Sequence, residues 1–158
     1  MRAEDPHMTS TPTAPLPSPV ATDVRPPGSA TVDRFLEAVC AGTGIPTELY
    51  APDAILDATV PGWRMSARGG EAIARQYQGW FADPGSFEEL TRLPVDGGQG
   101  EVVTYLLTWI EHGVPHAAHH GHLIRFAPDG RIAADTVFCG GRWPAGLLAQ
   151  MAEANHAG

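Results

Sequence analysis

Residues 101–141 decide the fold, and they read EVVTYLLTWIEHGVPHAAHHGHLIRFAPDGRIAADTVFCGG. This stretch is rich in Val, Thr, Tyr, Leu, Trp and Ile, which favour β-strands, and it is interrupted only by short turn signals. With the segment before it, it predicts the strands 87–95, 101–112, 116–126 and 131–141. Because every connection between them is short, these strands are expected to form an antiparallel meander.

The part of the chain before the meander predicts helices. Apolar residues at helical spacing predict one helix that Ser29 or Thr31 caps and Gly42 ends, and a second over residues 69–81. A short helical turn (46–50) and an extended run (54–60) lie between them, Pro61-Gly62 breaks the chain, and a short helix or tail (143–154) follows the strands. Helices followed by a meander predict an α+β fold, in which the helices pack on one face of a curved sheet.

The chain of 158 residues is long enough for one domain, which we place at residues 29–154. Seven of its fifteen prolines lie between Pro6 and Pro27, so residues 1–28 are expected to form a disordered tail. The opening residues Met1 to Met8, which end in His7-Met8, resemble an expression-tag remnant.

Charge and composition exclude several classes of partner. The net charge of −8 disfavours nucleic acid and anionic membranes as partners. No membrane-length apolar run and no secretory signal is visible, which favours the cytoplasm. Cys40 and Cys139 match neither a metal-ligand spacing nor a disulfide framework.

Four groups of residues resemble the nuclear-transport-factor-2-like superfamily, whose cone-shaped members include steroid delta-isomerases, limonene-epoxide hydrolases and SnoaL-like polyketide cyclases. The groups are Val32-Asp33-Arg34-Phe35-Leu36, Leu49-Tyr50-Ala51-Pro52-Asp53-Ala54, Gly69-Gly70-Glu71-Ala72-Ile73, and Ile124-Arg125-Phe126 followed by Asp129-Gly130-Arg131-Ile132. The resemblance covers about residues 30–142. It implies a cone-shaped, curved, mixed or antiparallel sheet with the N-terminal helices packed on its concave face, but it implies no particular reaction.

The resemblance to steroid isomerases is partial. It places Tyr77 at that family's hydrogen-bonding tyrosine and His122 at its protonated carboxylic acid. Phe35 stands where the family has its oxyanion tyrosine. Ala58 stands at the general-base aspartate, with Asp57 one residue early and expected on the other strand face. A steroid isomerase mechanism is therefore not expected, and the Asp–Arg–Asp arrangement of the epoxide hydrolases is not visible.

Histidines are concentrated on one predicted strand. His120 and His122 share a face with Ile124 and Phe126, and this face is expected to point into the cone. A four-residue turn before Arg131 would place His122 opposite Asp135, whereas a two-residue Asp129-Gly130 turn would place them diagonally. In the other hairpin, a two-residue Gly113-Val114 turn would pair Tyr105 with His122 and Leu107 with His120.

These faces predict a mostly apolar pocket with a few polar groups. The expected catalytic residues are His122, Asp135 and Tyr77, and the expected substrate-binding residues are His120, Tyr105, Leu107, Trp109, Phe35, Val137 and Cys139. A carboxylate beside an imidazole makes the imidazole a usable acid or base near neutral pH. The same pair could instead be a satisfied polar contact in the sheet, or could join His120 in a two-His, one-carboxylate metal site.

The sequence therefore predicts a SnoaL-like enzyme without metal or cofactor, a cyclase, isomerase or dehydratase for an apolar polyketide-like or terpenoid-like substrate. The alternative is a non-catalytic binding module with the same cone. Val102, Leu106 and Ile110 point away from the pocket, and this apolar outer face predicts a homodimer.

Overall fold

The computed structural model of the protein describes residues 26–157. Most of the predicted tail lies outside them. Its last three residues, Pro26–Gly28, contact the domain: the Ser29 N–H donates a 2.9 Å hydrogen bond to the Pro26 carbonyl, and a side chain at Gly28 would collide with the Phe126 ring. Among the described helices, none has the length and apolar character needed to cross a bilayer.

Three helices and a seven-stranded, open, mixed sheet make up the described chain, which confirms the predicted α+β class. The helices are α1 (Ser29–Ala41), α2 (Gly70–Gln78) and α3 (Ala145–His156), with a 3-10 turn at Thr47–Leu49. The strands are β1 (Tyr50–Val60), β2 (Trp63–Arg68), β3 (Gly85–Val95), β4 (Gly100–Glu111), β5 (Val114–Phe126), β6 (Ile132–Cys139) and β7 (Trp143–Pro144).

The sheet order is β2-β1-β6-β5-β4-β3, with β7 against β5. All neighbours are antiparallel except β1 and β6, which run parallel. The apolar faces of α1 and α2 cover the inner face of the sheet, so the core lies between helices and strands. Its large, fully buried side chains include Phe35, Tyr77, Leu49, Leu56, Ile73, Tyr105, Ile124 and Ile132.

Strand β2 was not predicted, because Pro61-Gly62 was interpreted as a break in the chain. These two residues instead form the turn of a β1–β2 hairpin, in which Val60 pairs with Trp63. Gly62 has a φ of 73°, the conformation that a Pro-Gly turn needs at its second central residue. The turn signal was therefore present, and Trp63, Met65 and Ala67 alternate with polar residues as in a strand, although the strand is mostly exposed.

The predicted caps of α1 are wrong at the N-terminus and confirmed at the C-terminus. Gly28 is the N-cap and makes no side-chain bond, whereas Gly42 ends the helix with a φ of 64°. The hydroxyls of the two expected caps bind elsewhere: Thr31 Oγ1 donates to the Gly130 carbonyl, and Ser29 Oγ accepts from the Arg92 guanidinium. They tie α1 to the sheet instead of capping it.

The turn between β4 and β5 consists of His112 and Gly113, one residue earlier than predicted. Their φ angles of 49° and 78° are both positive, as in the type I′ turn that suits a two-residue hairpin. Tyr105 therefore pairs with His120, and Leu107 pairs with Ala118, so the predicted partners His122 and His120 are wrong. The partner of each β4 residue therefore lies two positions earlier on β5 than predicted. Because two is an even number, every side chain keeps its expected face.

Between β5 and β6 the structure confirms the diagonal arrangement. His122 pairs with Val137 and Ile124 pairs with Asp135, while an irregularity at Arg125/Phe126 accommodates the following turn. His122 and Asp135 are therefore diagonal neighbours on the inner face, which is within reach of long side chains.

Candidate functional site

The inner face of the sheet carries a buried polar network centred on His122. Its Nδ1 lies 3.1 Å from Asp135 Oδ1, and its Nε2 lies 3.0 Å from the Tyr105 hydroxyl. The Tyr77 hydroxyl donates a 2.6 Å hydrogen bond to Asp135 Oδ2. The side chains of His122 and Asp135 are both 0% exposed. We call these four residues the buried network.

One arrangement of protons satisfies every member of the buried network. With the imidazole neutral and its proton on Nδ1, His122 donates to Asp135 and accepts at Nε2 from the Tyr105 hydroxyl. Burial and the nearby Asp135 charge both raise the pKa values of Tyr77 and Tyr105 well above their ordinary value, so both phenols stay protonated donors.

Three neighbouring strands and one helix bring the network together. Tyr105 is on β4, His122 on β5 and Asp135 on β6, and Tyr77 reaches them from α2. Phe35 of α1 packs edge-on against the His122 ring, with centroids 5.3 Å apart. Phe cannot donate a hydrogen bond, so it closes the network to solvent and adds no polar group to it.

A cavity of about 390 Å³ opens beside the network, at the end of the cone where β4 ends and β5 begins. Its walls are mostly apolar, as is usual for a small-molecule site. The cavity is lined by Val60, Pro61, Trp80, Leu107, Trp109, Ala118, His120, Cys139, Gly141 and Arg142.

His120 joins the cavity to the buried network. Its ring stacks on the Tyr105 ring with centroids 5.2 Å apart, and it lies 6.1 Å from the His122 ring. Its Nε2 is 3.8 Å from Cys139 Sγ, a weak contact, and its buried Nδ1 has no hydrogen-bond partner among the described residues. Burial, then the neighbouring His122 and His119, lower the pKa of His120 to about 3. The cavity therefore contains a neutral imidazole with unused hydrogen-bonding capacity.

The structure divides the predicted site residues into two layers. Four line the cavity, namely His120, Leu107, Trp109 and Cys139. The other six lie beneath or beside it, namely His122, Asp135, Tyr77, Tyr105, Phe35 and Val137, each at most 1% exposed. The expected pocket that all ten would share does not form, because Tyr105 pairs with His120 and its ring lies against both histidines.

Sequence reasoning missed several cavity residues. Trp80 was placed on the second helix stripe and Arg142 at the end of the last strand, yet neither was assigned to the site. Tyr50 does not line the cavity, but its hydroxyl is buried and has no partner among the described residues, a feature that sequence reasoning did not predict. Asp57 is where we expected it, because it points away from the core and pairs with Arg64 on β2.

The metal alternative needs His120, His122 and Asp135 to converge. Within residues 26–157, no three His, Cys, Asp or Glu side chains do so. Both ring nitrogens of His122 are already engaged, by Asp135 and by Tyr105. The geometry therefore does not favour this ligand set.

No protein-family model and no curated protein matches the chain. Solved structures do. A Bacillus subtilis protein that is assigned as an isomerase superposes with a TM-score of 0.60 at 17% identity, over 72% of this chain and 86% of that protein. A steroid delta-isomerase from Pseudomonas aeruginosa gives 0.51 at 19% identity, over 73% and 80%. A protein assigned as a polyketide cyclase from Pseudomonas putida gives 0.54 at 16% identity, over 70% and 89%.

At these identities the comparisons establish the fold. The chain has the α+β fold of these solved structures, so the resemblance found in the sequence is confirmed as a likeness of fold. The fold carries many different activities, so the reaction has to be argued from the cavity.

Proposed function

We propose that this protein is a SnoaL-like small-molecule enzyme that uses acid–base chemistry, without metal or cofactor, to cyclise, isomerise or dehydrate an apolar polyketide-like or terpenoid-like substrate. One observation carries the proposal: an apolar cavity of about 390 Å³ contains His120, whose Nδ1 is buried and unpartnered and whose ring rests on the buried network. The isomerases and the polyketide cyclase that share the fold support this class of chemistry.

His120 is the residue that we expect to contact the substrate. A neutral imidazole can accept a proton from a carbon next to a carbonyl group and return it at another position. Its low pKa reflects the burial of the ring, together with the neighbouring His122 and His119. An enolate that forms beside the ring would stabilise the imidazolium and offset that desolvation, so the ring becomes more basic as the negative charge develops.

His122, Asp135 and Tyr77 are proposed to act through position. Tyr77 donates to Asp135, Asp135 accepts from His122, and His122 accepts from the Tyr105 hydroxyl. The Tyr105 ring in turn supports His120. The cavity then keeps one orientation of the His120 ring relative to a bound ketone. A ring that tilts away loses the near-attack geometry on which proton transfer depends.

The second candidate is a non-catalytic module that binds the same class of ligand. It is favoured by the completeness of the buried network, in which every hydrogen bond is made and neither His122 nor Asp135 reaches the cavity surface. A fully satisfied network of this kind can have a purely structural role, in which it fixes one arrangement of the core.

Hydrogen–deuterium exchange of an apolar ketone separates the two. Decalone, a bicyclic ketone small enough for the cavity, is incubated with the protein in heavy water, and exchange at the carbons beside the carbonyl is followed by mass spectrometry. We expect faster exchange than in buffer, and a loss of about 10²–10⁴-fold of this acceleration in His120→Gln. His119→Gln is the matched control, because His119 is adjacent but exposed and on the outer face.

The positioning role is tested in the same assay. Asp135→Asn and His122→Gln should each lower the exchange rate at saturating decalone without changing its dissociation constant. The double variant should be little slower than either single one, because residues that act as a unit are not additive. Decalone that binds without accelerated exchange would establish the binding module, and full exchange in His120→Gln would overturn the role of His120.

A further inference from the structure

The cavity has one charged residue at its mouth. Among the described residues that line it, Arg142 alone carries a full charge, since the low pKa of His120 keeps that ring neutral. The Arg142 side chain is 48% exposed, so it stands at the boundary between cavity and solvent. The remaining walls are almost entirely apolar, which makes a single cation the main electrostatic feature that a ligand meets.

The guanidinium is held in a defined place. It lies over the Trp109 ring, 5.3 Å from the ring centre. The Trp109 ring also stacks with the His116 ring. Arg142 Nη2 donates a 2.5 Å hydrogen bond to Glu111 Oε2. A guanidinium has five N–H donors in a rigid fork, and Glu111 occupies one of them, so most of the fork stays available to a ligand.

An apolar passage connects this cation to His120. Trp80, Leu107 and Ala118 line the cavity together with Trp109 and His120, and they supply the surface that an apolar ligand body would cover. A molecule with an anionic end and an apolar body would therefore match the cavity from its mouth to its imidazole.

We propose that the ligand of this cavity is an apolar carboxylic acid, whose carboxylate pairs with Arg142 at the mouth while its apolar body extends toward His120. Resting on the proposed function, this inference narrows the substrate class. A carboxylate matches the guanidinium fork in shape, and it adds one negative charge to the Arg142–Glu111 pair. A phosphate dianion would add two negative charges beside Glu111, where the repulsion is greater.

Ligand binding is measured by how much a ligand slows the alkylation of the Cys139 thiol in the cavity, which does not depend on activity. In a Cys40→Ala background, Cys139 is the remaining cysteine, and it lines the cavity. Burial raises the pKa of its thiol, so alkylation by N-ethylmaleimide is followed at mildly alkaline pH. Naphthoic acid and naphthamide, which differ in charge but hardly in shape, are titrated as protecting ligands. We expect the acid to protect about tenfold more tightly than the amide, as for a hydrogen bond to a charged group.

Two variants give opposite expectations. Arg142→Gln should remove the preference for the acid and leave the affinity for the amide within about twofold, and Glu111→Gln should increase the preference, because the competing carboxylate is gone. Arg131→Gln is the control, since Arg131 pairs with Asp129 in the turn at the other end of the sheet. Naphthyl phosphate that binds more tightly than naphthoic acid would replace the carboxylate with a phosphate.

The possible failures are distinct. Equal protection by acid and amide in the unsubstituted cavity would overturn the carboxylate and leave the proposed function standing. A Cys139 that neither probe protects would contradict the proposed function itself, because the cavity would then not bind apolar molecules. A preference for the acid that survives Arg142→Gln would overturn the assignment of Arg142.

Discussion

His120 links the electrostatics of the cavity to the stability of the fold. Burial, and then the neighbouring His122 and His119, lower its pKa from 6.5 to about 3. Between these two values the unfolded chain binds a proton at this position and the folded chain does not. The folded state therefore loses stability as the pH falls from 6.5 toward 3. Above pH 6.5 His120 is neutral in both states and causes no such loss.

This gives a pH-dependent prediction at a single residue. Below about pH 6.5 the free energy of unfolding should fall by about 1.4 kcal/mol per pH unit on account of His120 alone. Urea denaturation at about pH 7, 6 and 5 should show a smaller fall for His120→Gln than for the unsubstituted protein. His119→Gln should keep the original slope, and parallel curves for all three proteins would contradict the assigned pKa.

At the scale of elements, turn chemistry explains both the accuracy and the errors of the sequence predictions. The strands of the meander were found because their apolar residues alternate and their turns contain glycine. Strand β2 was missed because it is mostly exposed, although Gly62 marked its hairpin. The face of every site residue was correct, since an even shift of register preserves it. The depth of each histidine was not predictable. His120 lines the cavity and His122 does not, and this difference depends on how the rings pack against α1 and α2.

Two glycines allow this turn chemistry to be measured with the same substitution. Gly113 has a φ of 78° in the β4–β5 turn, and Gly146 lies in α3; a Cβ at either position meets no atom within 4 Å. Gly113→Ala should destabilise the protein by about 1 kcal/mol, because alanine resists a positive φ.

Gly146→Ala should instead stabilise it by about 0.5 kcal/mol, through the better helix propensity of alanine. We expect the denaturant midpoint of Gly113→Ala to lie below that of the parent protein and the midpoint of Gly146→Ala to lie above it. A Gly113→Ala midpoint equal to that of the parent would show that the hairpin tolerates a different turn.

For the whole molecule, the outer face of the sheet is the feature that the described chain leaves uncovered. Val102 and Leu106 are half-buried there, while Leu93, Ile110 and Phe138 are more than half exposed, at 56%, 64% and 62%. The strand pairings place all five on the face opposite the cavity. A contiguous apolar face of this kind is the physical reason for the homodimer that we continue to propose.

Light scattering at micromolar concentration should give a dimeric mass for the parent protein and a monomeric mass for Phe138→Glu, since a charge within an apolar contact is costly to bury. Trp63→Glu serves as the control, because Trp63 is 68% exposed but pairs with Val60 on the cavity side of the sheet. A monomeric parent would end the proposal. A dimer that survives Phe138→Glu would place the contact elsewhere.

The described chain begins far from the cavity, and this matters for anyone who wishes to attach the protein to a surface. Pro26 lies against Gly98, beside the start of β4, whereas Trp109 at the other end of that strand lines the cavity. Gly100 and Trp109 are nine residue steps apart on an extended strand, roughly 30 Å. A tether on the N-terminal side would hold each molecule with its opening directed toward the bulk solution, which suits a sensor chip or a column for capturing hydrophobic acids.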